Sequence, residues 1–306
     1  MVSSERTDVQ AVLARVPSLA RRPRQVTELP GGLTNRNFKV TTPDGVFVAR
    51  LFADDGELLA IDRDHEYRNS VIAAEAGVGA PVIEYRPADR VLVLGYLYGR
   101  TLTNADVAEP ATLDRIAVAC RALHAGGRFV ADFDMFDVQA RYYATAMRRR
   151  IGLPVGYDTL LPAFAAARAA LAVKGEGTVP CNNDLLAANF IDNGERIWLI
   201  DYEYSGNNDP CFELGNIAGE CGLDADAVSY LVTQYYGRSR RSRIARARLF
   251  SLVSRYGWTL WGVLQQASSQ LDFDFRSWAM ERFEAAASGF TSVGYDDLLA
   301  GVVDED

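Results

Sequence analysis

Three oxygen-bearing side chains stand at fixed spacing in the stretch from Cys181 to Tyr204, CNNDLLAANFIDNGERIWLIDYEY, which reads as a loop, a strand, a turn and a second strand. Asp184 is followed five residues later by Asn189. A short apolar run then closes at Ile191, Asp192-Asn193-Gly194 supplies a turn, and a second apolar run, Ile197 to Ile200, ends in Asp201. A hairpin with this turn chemistry brings its two strand ends together. Asn189 and Asp201 then lie close enough to share a metal ion, with Asp184 facing the same space. An Asn carbonyl and an Asp carboxylate are the hard oxygen donors that Mg²⁺ prefers. A separate carboxylate can orient a hydroxyl and accept its proton. Turns also favour Asn and Asp for their own sake, so the pattern needs support from the rest of the chain.

That support comes from the N-terminal half. The arrangement D-x-x-x-x-N, then an apolar strand ending in Asp, resembles the catalytic-loop and metal-Asp pair of protein-kinase-like phosphotransferases, where Mg²⁺ bridges the phosphates of ATP. A short amphipathic helix is expected at 8–21 and short strands at 26–29, 37–40 and 46–52, with a Gly-rich turn, Pro30 to Asn35, between the first two strands. That turn can bring backbone N–H groups of Gly32 and its neighbours, the Thr34 hydroxyl and Asn35 near phosphate oxygens. Arg50 is the only charge within the apolar run Val46 to Phe52, and a charge there needs a partner or a ligand. A helix is expected from Asp62 to Gly77, capped by Asp62 or Asp64, with Glu66 in its first turns. Arg50 paired with Glu66 would stand where kinases keep the Lys–Glu pair that grips ATP phosphates, and Arg binds phosphate bidentately. Strands at 82–85 and 91–94 complete a small antiparallel sheet. Gly95 to Gly99, with Tyr96 and Leu97, reads as the hinge whose backbone groups bind adenine.

Beyond the hinge the chain reads as helical up to the site stretch, with helices at 138–150 and 158–173. His124 lies on the apolar face of an earlier helix and reads as a satisfied helix-end histidine. After Tyr204, helices are expected at 212–221, 224–237, 240–270 and 276–288. Trp258 and Trp261 sit one turn apart on one face. The fold class is therefore α+β, in two lobes: residues 1–94 for nucleotide, 95–99 as hinge, and 100–306 as a helical lobe carrying the catalytic loop and the substrate pocket.

Composition sets the remaining bounds. The 306 residues are 49% hydrophobic and 24% charged, ordinary for a globular protein. A net charge of −8 argues against nucleic acid as a partner. The basic run Arg238 to Arg248 is expected to be a solvated helix face. The first ten residues lack a signal-peptide core, and no run approaches a membrane span. Cys120, Cys181, Cys211 and Cys221 form no C-x-x-C and read as reduced core thiols of a cytoplasmic protein.

Over nearly its whole length the chain resembles the choline/ethanolamine kinase family, within the kinase-like fold shared with aminoglycoside phosphotransferases. The resemblance rests on GGLTNRNFKV, LVLGYLYGRTL, CNNDLLAANF and RYGWTLWGVLQQASSQLDFDF. It implies ATP-dependent phosphorylation of a small hydroxylated amine. Asp184 would be the catalytic base, with Asn189 and Asp201 completing the catalytic set as Mg²⁺ ligands and Glu203 close to the metal. Tyr204, Glu220, Trp258 and Trp261 would line a pocket for a quaternary ammonium, which favours choline over ethanolamine or an aminoglycoside. Asn182 stands where the family usually has a loop-bracing His, and Arg50 where it often has Lys. A catalytically weak pseudokinase is the reading that Asn182 alone would support.

Overall fold

In a computed structural model, residues 9–52, 56–175 and 177–304 are described. The first eight residues, which carry most of the expectation about a signal segment and the start of the helix expected from residue 8, lie outside the described residues.

Period-two alternation builds the N-terminal sheet. Strands β1 (Gln25–Leu29), β2 (Asn35–Thr42), β3 (Gly45–Phe52), β4 (Val82–Arg86) and β5 (Val91–Gly95) are antiparallel in the order β1-β2-β3-β5-β4. On one face Phe38, Val40, Ala49, Leu51, Val91 and Val93 pack with Val12 and Leu13 of helix α1 (Val9–Arg15) into a small core. Because successive side chains alternate faces, Val48 and Arg50 point the other way, where they line the cavity described below. The apolar run Val46 to Phe52 thus has a core side and a cavity side. Following α2 (Gly56–Leu59), helix α3 (Arg63–Glu75) is capped by Asp62, which accepts from the Asp64 and His65 amides, and the chain turns away at Gly77, φ +76°.

Two expectations need correction. The chain after residue 99 does not go straight into helix. Strand β6 (Arg100–Thr101) pairs with β8 (Phe190–Asp192), which pairs with β9 (Ile197–Leu199). A two-residue strand carries no periodicity to read. Cys181 does not begin a loop either: it ends β7 (Val179–Cys181), which pairs with β10 (Gly206–Asn208). The site stretch is therefore tied at both ends.

The remaining chain is helical: α4 (Asn104–Val107), α5 (Pro110–His124), α6 (Met135–Arg149), α7 (Leu161–Val173), α8 (Pro210–Cys221), α9 (Ala225–Tyr236), α10 (Arg241–Ser268), α11 (Phe275–Phe290) and an unexpected α12 (Tyr295–Gly301). Their apolar faces form a second, larger core into which α3 also packs, through Ala73. The basic run is only partly solvated. Arg246 is buried, its Nε donating to Asp209 (2.7 Å) and its Nη2 to the Leu171 carbonyl (2.8 Å). All four cysteines are buried thiols, and no described helix is long and apolar enough to cross a membrane.

Candidate active site

The loop carrying Asp184 is held amide by amide. The Asn182 and Asn183 N–H groups donate to the two oxygens of Glu213 (2.7 and 2.8 Å), the Asp184 N–H to Asn182 Oδ1 (3.1 Å), and the Leu185 N–H to Asn216 Oδ1 (2.7 Å). Asn182 Nδ2 reaches the carbonyls of Ile200 (3.1 Å) and Asp201 (2.9 Å). Asn182 thus performs a bracing role across the hairpin. It also steadies Asp201, whose φ of +66° is a left-handed conformation that Asp tolerates better than most residues. Sequence reading gives Glu213 and Asn216 no role. Both stand on α8, a mostly apolar helix in which buried polar side chains require partners.

Asn189 and Asp201 come together as expected. The Ile200 amide donates to the Asn189 carbonyl (3.0 Å), and Asn189 Nδ2 donates to the Asp184 carbonyl (2.7 Å). The second bond leaves Oδ1 as the acceptor end of that amide. Asp184, Asn189 and Asp201 all line one cavity of about 340 Å³. Burial pushes the Asp184 carboxyl well above the ordinary range, and the nearby Glu220, Asp201 and Glu203 carboxylates push the same way, with Arg282 opposing. Once ionised, such a carboxylate is a stronger proton acceptor.

At one end of the cavity Arg50 is buried, with Nη1 shared between Glu66 (2.7 Å) and Asp201 (2.6 Å) and Nε on Asn37 (3.2 Å). Burial disfavours its charge, but Asp201, Glu66 and Glu203 outweigh that and hold the guanidinium protonated. Glu203 has no unused oxygen. It accepts from the Thr34 hydroxyl (2.7 Å), Asn35 Nδ2 (2.8 Å) and Arg63 Nη1 (3.0 Å). Burial first, then Asp201 and Glu66, push its carboxyl up to about 7. Gly31, Gly32 and Thr34 line the cavity. A Cβ on Gly32 would stand 2.1 Å from the Asn35 carbonyl oxygen, so only glycine allows this close turn. Asn35 and Glu66 lie one hydrogen bond behind the cavity wall. Tyr96 and Leu97 line the wall, but the Tyr96 N–H is committed to the Val46 carbonyl (3.2 Å) and is not available to a base.

At the other end Tyr204, Trp258 and Trp261 line the cavity together with Trp278 and Arg282. Trp261 Nε1 donates to the Tyr204 hydroxyl (2.8 Å), and the Tyr204 and Trp258 rings meet edge to face at 4.8 Å. Trp258 and Trp261 are only 2% and 6% exposed, so they are core residues and wall residues at once. Glu220 corrects the sequence reading. It is not a lining residue; its carboxylate is buried behind Arg282, which donates to both its oxygens through Nε and Nη2. Trp278 and Arg282 have no place in the sequence reading, although their i,i+4 spacing on α11 puts them on one face. His124 is satisfied elsewhere, by the Tyr235 hydroxyl (2.7 Å), and with Cys181 and Glu213 forms a buried cluster outside the cavity.

The pattern of the family described as Choline/ethanolamine kinase matches residues 26–237. Protein LicA of Haemophilus influenzae is 26% identical over 270 residues, spanning 84% of this chain and 77% of its own. Ethanolamine kinase 1 of Mus musculus is 26% identical over 304 residues, spanning 85% and 83%. The crystal structure of a choline/ethanolamine kinase family protein from Mesorhizobium loti superposes with a TM-score of 0.84 at 31% identity, covering 96% of this chain and 97% of that one.

Proposed function

This chain belongs to the choline/ethanolamine kinase family and is thus a phosphotransferase acting on the alcohol group of an amino alcohol; we propose that its substrate is choline, phosphorylated by ATP to phosphocholine and ADP. The observation that carries this reading is the continuity of one cavity. It runs from the glycine turn and Arg50, past Asp184, Asn189 and Asp201, to the faces of Tyr204, Trp258 and Trp261. A trimethylammonium has no N–H to donate and is recognised by aromatic faces. A primary ammonium keeps three donors and is costly to desolvate without acceptors.

In this reading residues 1–94 hold nucleotide, 95–99 form the hinge, and 100–306 carry the loop and the substrate pocket. Gly32, Thr34 and Asn35 shape the phosphate turn, Arg50 paired with Glu66 grips phosphate oxygens, and adenine lies against Tyr96 and Leu97. Asp184 orients the choline hydroxyl and takes its proton. The hydroxyl oxygen bonds to the γ-phosphorus, and the bond from that phosphorus to the β–γ bridging oxygen breaks, releasing ADP. The oxygen donors of Asn189 and Asp201 suit Mg²⁺. Bound there, the ion would neutralise charge on the phosphates. Glu203, bonded to Thr34, Asn35 and Arg63, steadies the phosphate turn beside it. Asn182 supports an active enzyme over a pseudokinase, since its hydrogen bonds brace the loop. We place the protein in the cytoplasm, in keeping with its four buried thiols.

The test is an ADP-release assay against choline, ethanolamine and a set of aminoglycosides. Choline is expected to show the highest kcat/KM. A higher value for any other of these amines would overturn the choice of substrate.

A further inference from the structure

We infer that Arg282 is a specificity-determining residue, one that sets the affinity for cationic substrates by occupying their seat. The inference rests on the proposal that the aromatic end of the cavity receives an ammonium group.

A cation seat in water-excluded protein needs aromatic faces and, to offset desolvation, a carboxylate. This pocket holds both, and a guanidinium of its own has taken one of each. Arg282 Nε donates to Glu220 Oε1 at 3.2 Å and Nη2 bonds Oε2, so both carboxylate oxygens are engaged. The Glu220 side chain is 1% exposed and does not line the cavity, whereas Arg282, 14% exposed, does. The guanidinium carbon also lies 3.4 Å from the centre of the Trp278 ring. That ring stands 4.9 Å from Trp261, so the covered face belongs to the same aromatic group as the proposed choline wall. A second guanidinium, Arg255, is anchored by Nε and Nη2 on the Gly219 carbonyl, one residue before Glu220.

Glu220 is therefore neutralised by Arg282 before any substrate arrives. A trimethylammonium entering the cavity meets Tyr204, Trp258 and Trp261, finds Glu220 already engaged, and approaches a fixed positive charge. Cation–π contact with the rings favours it, while Arg282 withholds Glu220 and the Trp278 face.

The test measures binding of tetramethylammonium, read by intrinsic tryptophan fluorescence, and KM for choline and for ATP. The unmodified chain, Arg282→Gln and Arg282→Lys are compared. Arg282→Gln is expected to tighten tetramethylammonium binding about tenfold and to lower KM for choline similarly. KM for ATP should stay within about twofold. Arg282→Lys keeps a charge beside Glu220, and so protects the fold, but uncovers the Trp278 face. It should tighten binding by a smaller factor, about threefold, and it decides alone if Arg282→Gln does not fold. If the unmodified chain binds tetramethylammonium and neither folded variant binds it more tightly, the role of Arg282 is overturned and the choline reading stands. If none of the three binds the ion and none turns over choline, both fall.

Discussion

Two properties meet at Asp184. Its backbone is fixed by Asn182 and its carboxyl sits in a cavity beside other carboxylates. If it is the proton acceptor, Asp184→Asn keeps the shape and removes only the basicity. Turnover is then expected to fall by about 10²–10⁴, with nucleotide affinity, measured by equilibrium titration, nearly unchanged. Near-normal turnover would remove Asp184 from the role of base. The same environment has a consequence for stability. An unfolded Glu titrates near 4.3, but Glu203 in the fold is pushed up to about 7 and Asp184 well above its usual range. Between these values the folded protein binds more protons than the unfolded chain, so stability falls as pH rises. The contribution is fully present below about pH 4.3 and, for Glu203, is lost as pH rises through about 7. The carboxyls of Asp89 and Asp192 are lowered by Arg partners and act in the opposite sense in acid, outside this window. The Tm of the ligand-free protein is expected to drop from pH 5 to 8, and Glu203→Gln to flatten the lower part of that slope. A Tm that rises over this range would contradict the assignment.

The elements differ in how much of their role could be read from the chain. The β8–β9 hairpin, the Asp62 cap and the Arg50–Glu66 pair were legible because each has a local signature: a turn, a cap, or a charge in an apolar strand. The strands β6, β7 and β10 were not, since two or three residues define no period, and their pairing depends on chain that is far away in sequence. Arg282 hid for a different reason. An Arg on an amphipathic helix reads as solvated until its neighbour Trp278 and the buried Glu220 are placed beside it. Glu213 is the clearest case at this scale. It lies on α8 yet fixes two amides of the loop carrying Asp184. Glu213→Gln replaces one acceptor oxygen by an amide NH2, a donor that faces an N–H. Leaving such a buried donor unsatisfied costs about 1–3 kcal/mol. Turnover is expected to fall about tenfold or more, with both KM values little changed, as the loop carrying Asp184 loses its register. If kcat is preserved while Tm drops, α8 supports the fold only and does not position the loop.

On the scale of the whole molecule, the cavity lies between two hydrophobic cores, one under the N-terminal sheet and one among the helices. Polar contacts join the two sides: Arg50 to Asp201, Gln265 to the Leu33 carbonyl, and Glu203 to Thr34 and Asn35. Such contacts fix orientation beside the apolar packing of Leu59, Ile61, Ala73 and Val78 on the helical core. Glu203 is the most connected, joining the segment after β9 to the glycine turn and, through Arg63, to α3. All of its partners, Thr34, Asn35 and Arg63, lie in the part of the chain proposed to hold nucleotide. Above about pH 7, where Glu203 is ionised, hydrogen bonds to it contribute about 1.5–3 kcal/mol. Glu203→Gln, which keeps one acceptor and loses the charge, is therefore expected to raise KM for ATP about tenfold. KM for choline should move less than about twofold, because Tyr204, Trp258 and Trp261 are held by the other core. Initial rates with each substrate varied in turn provide the check. Equal increases in both constants would mean that Glu203 governs how the two sides approach each other, and not the phosphate turn alone.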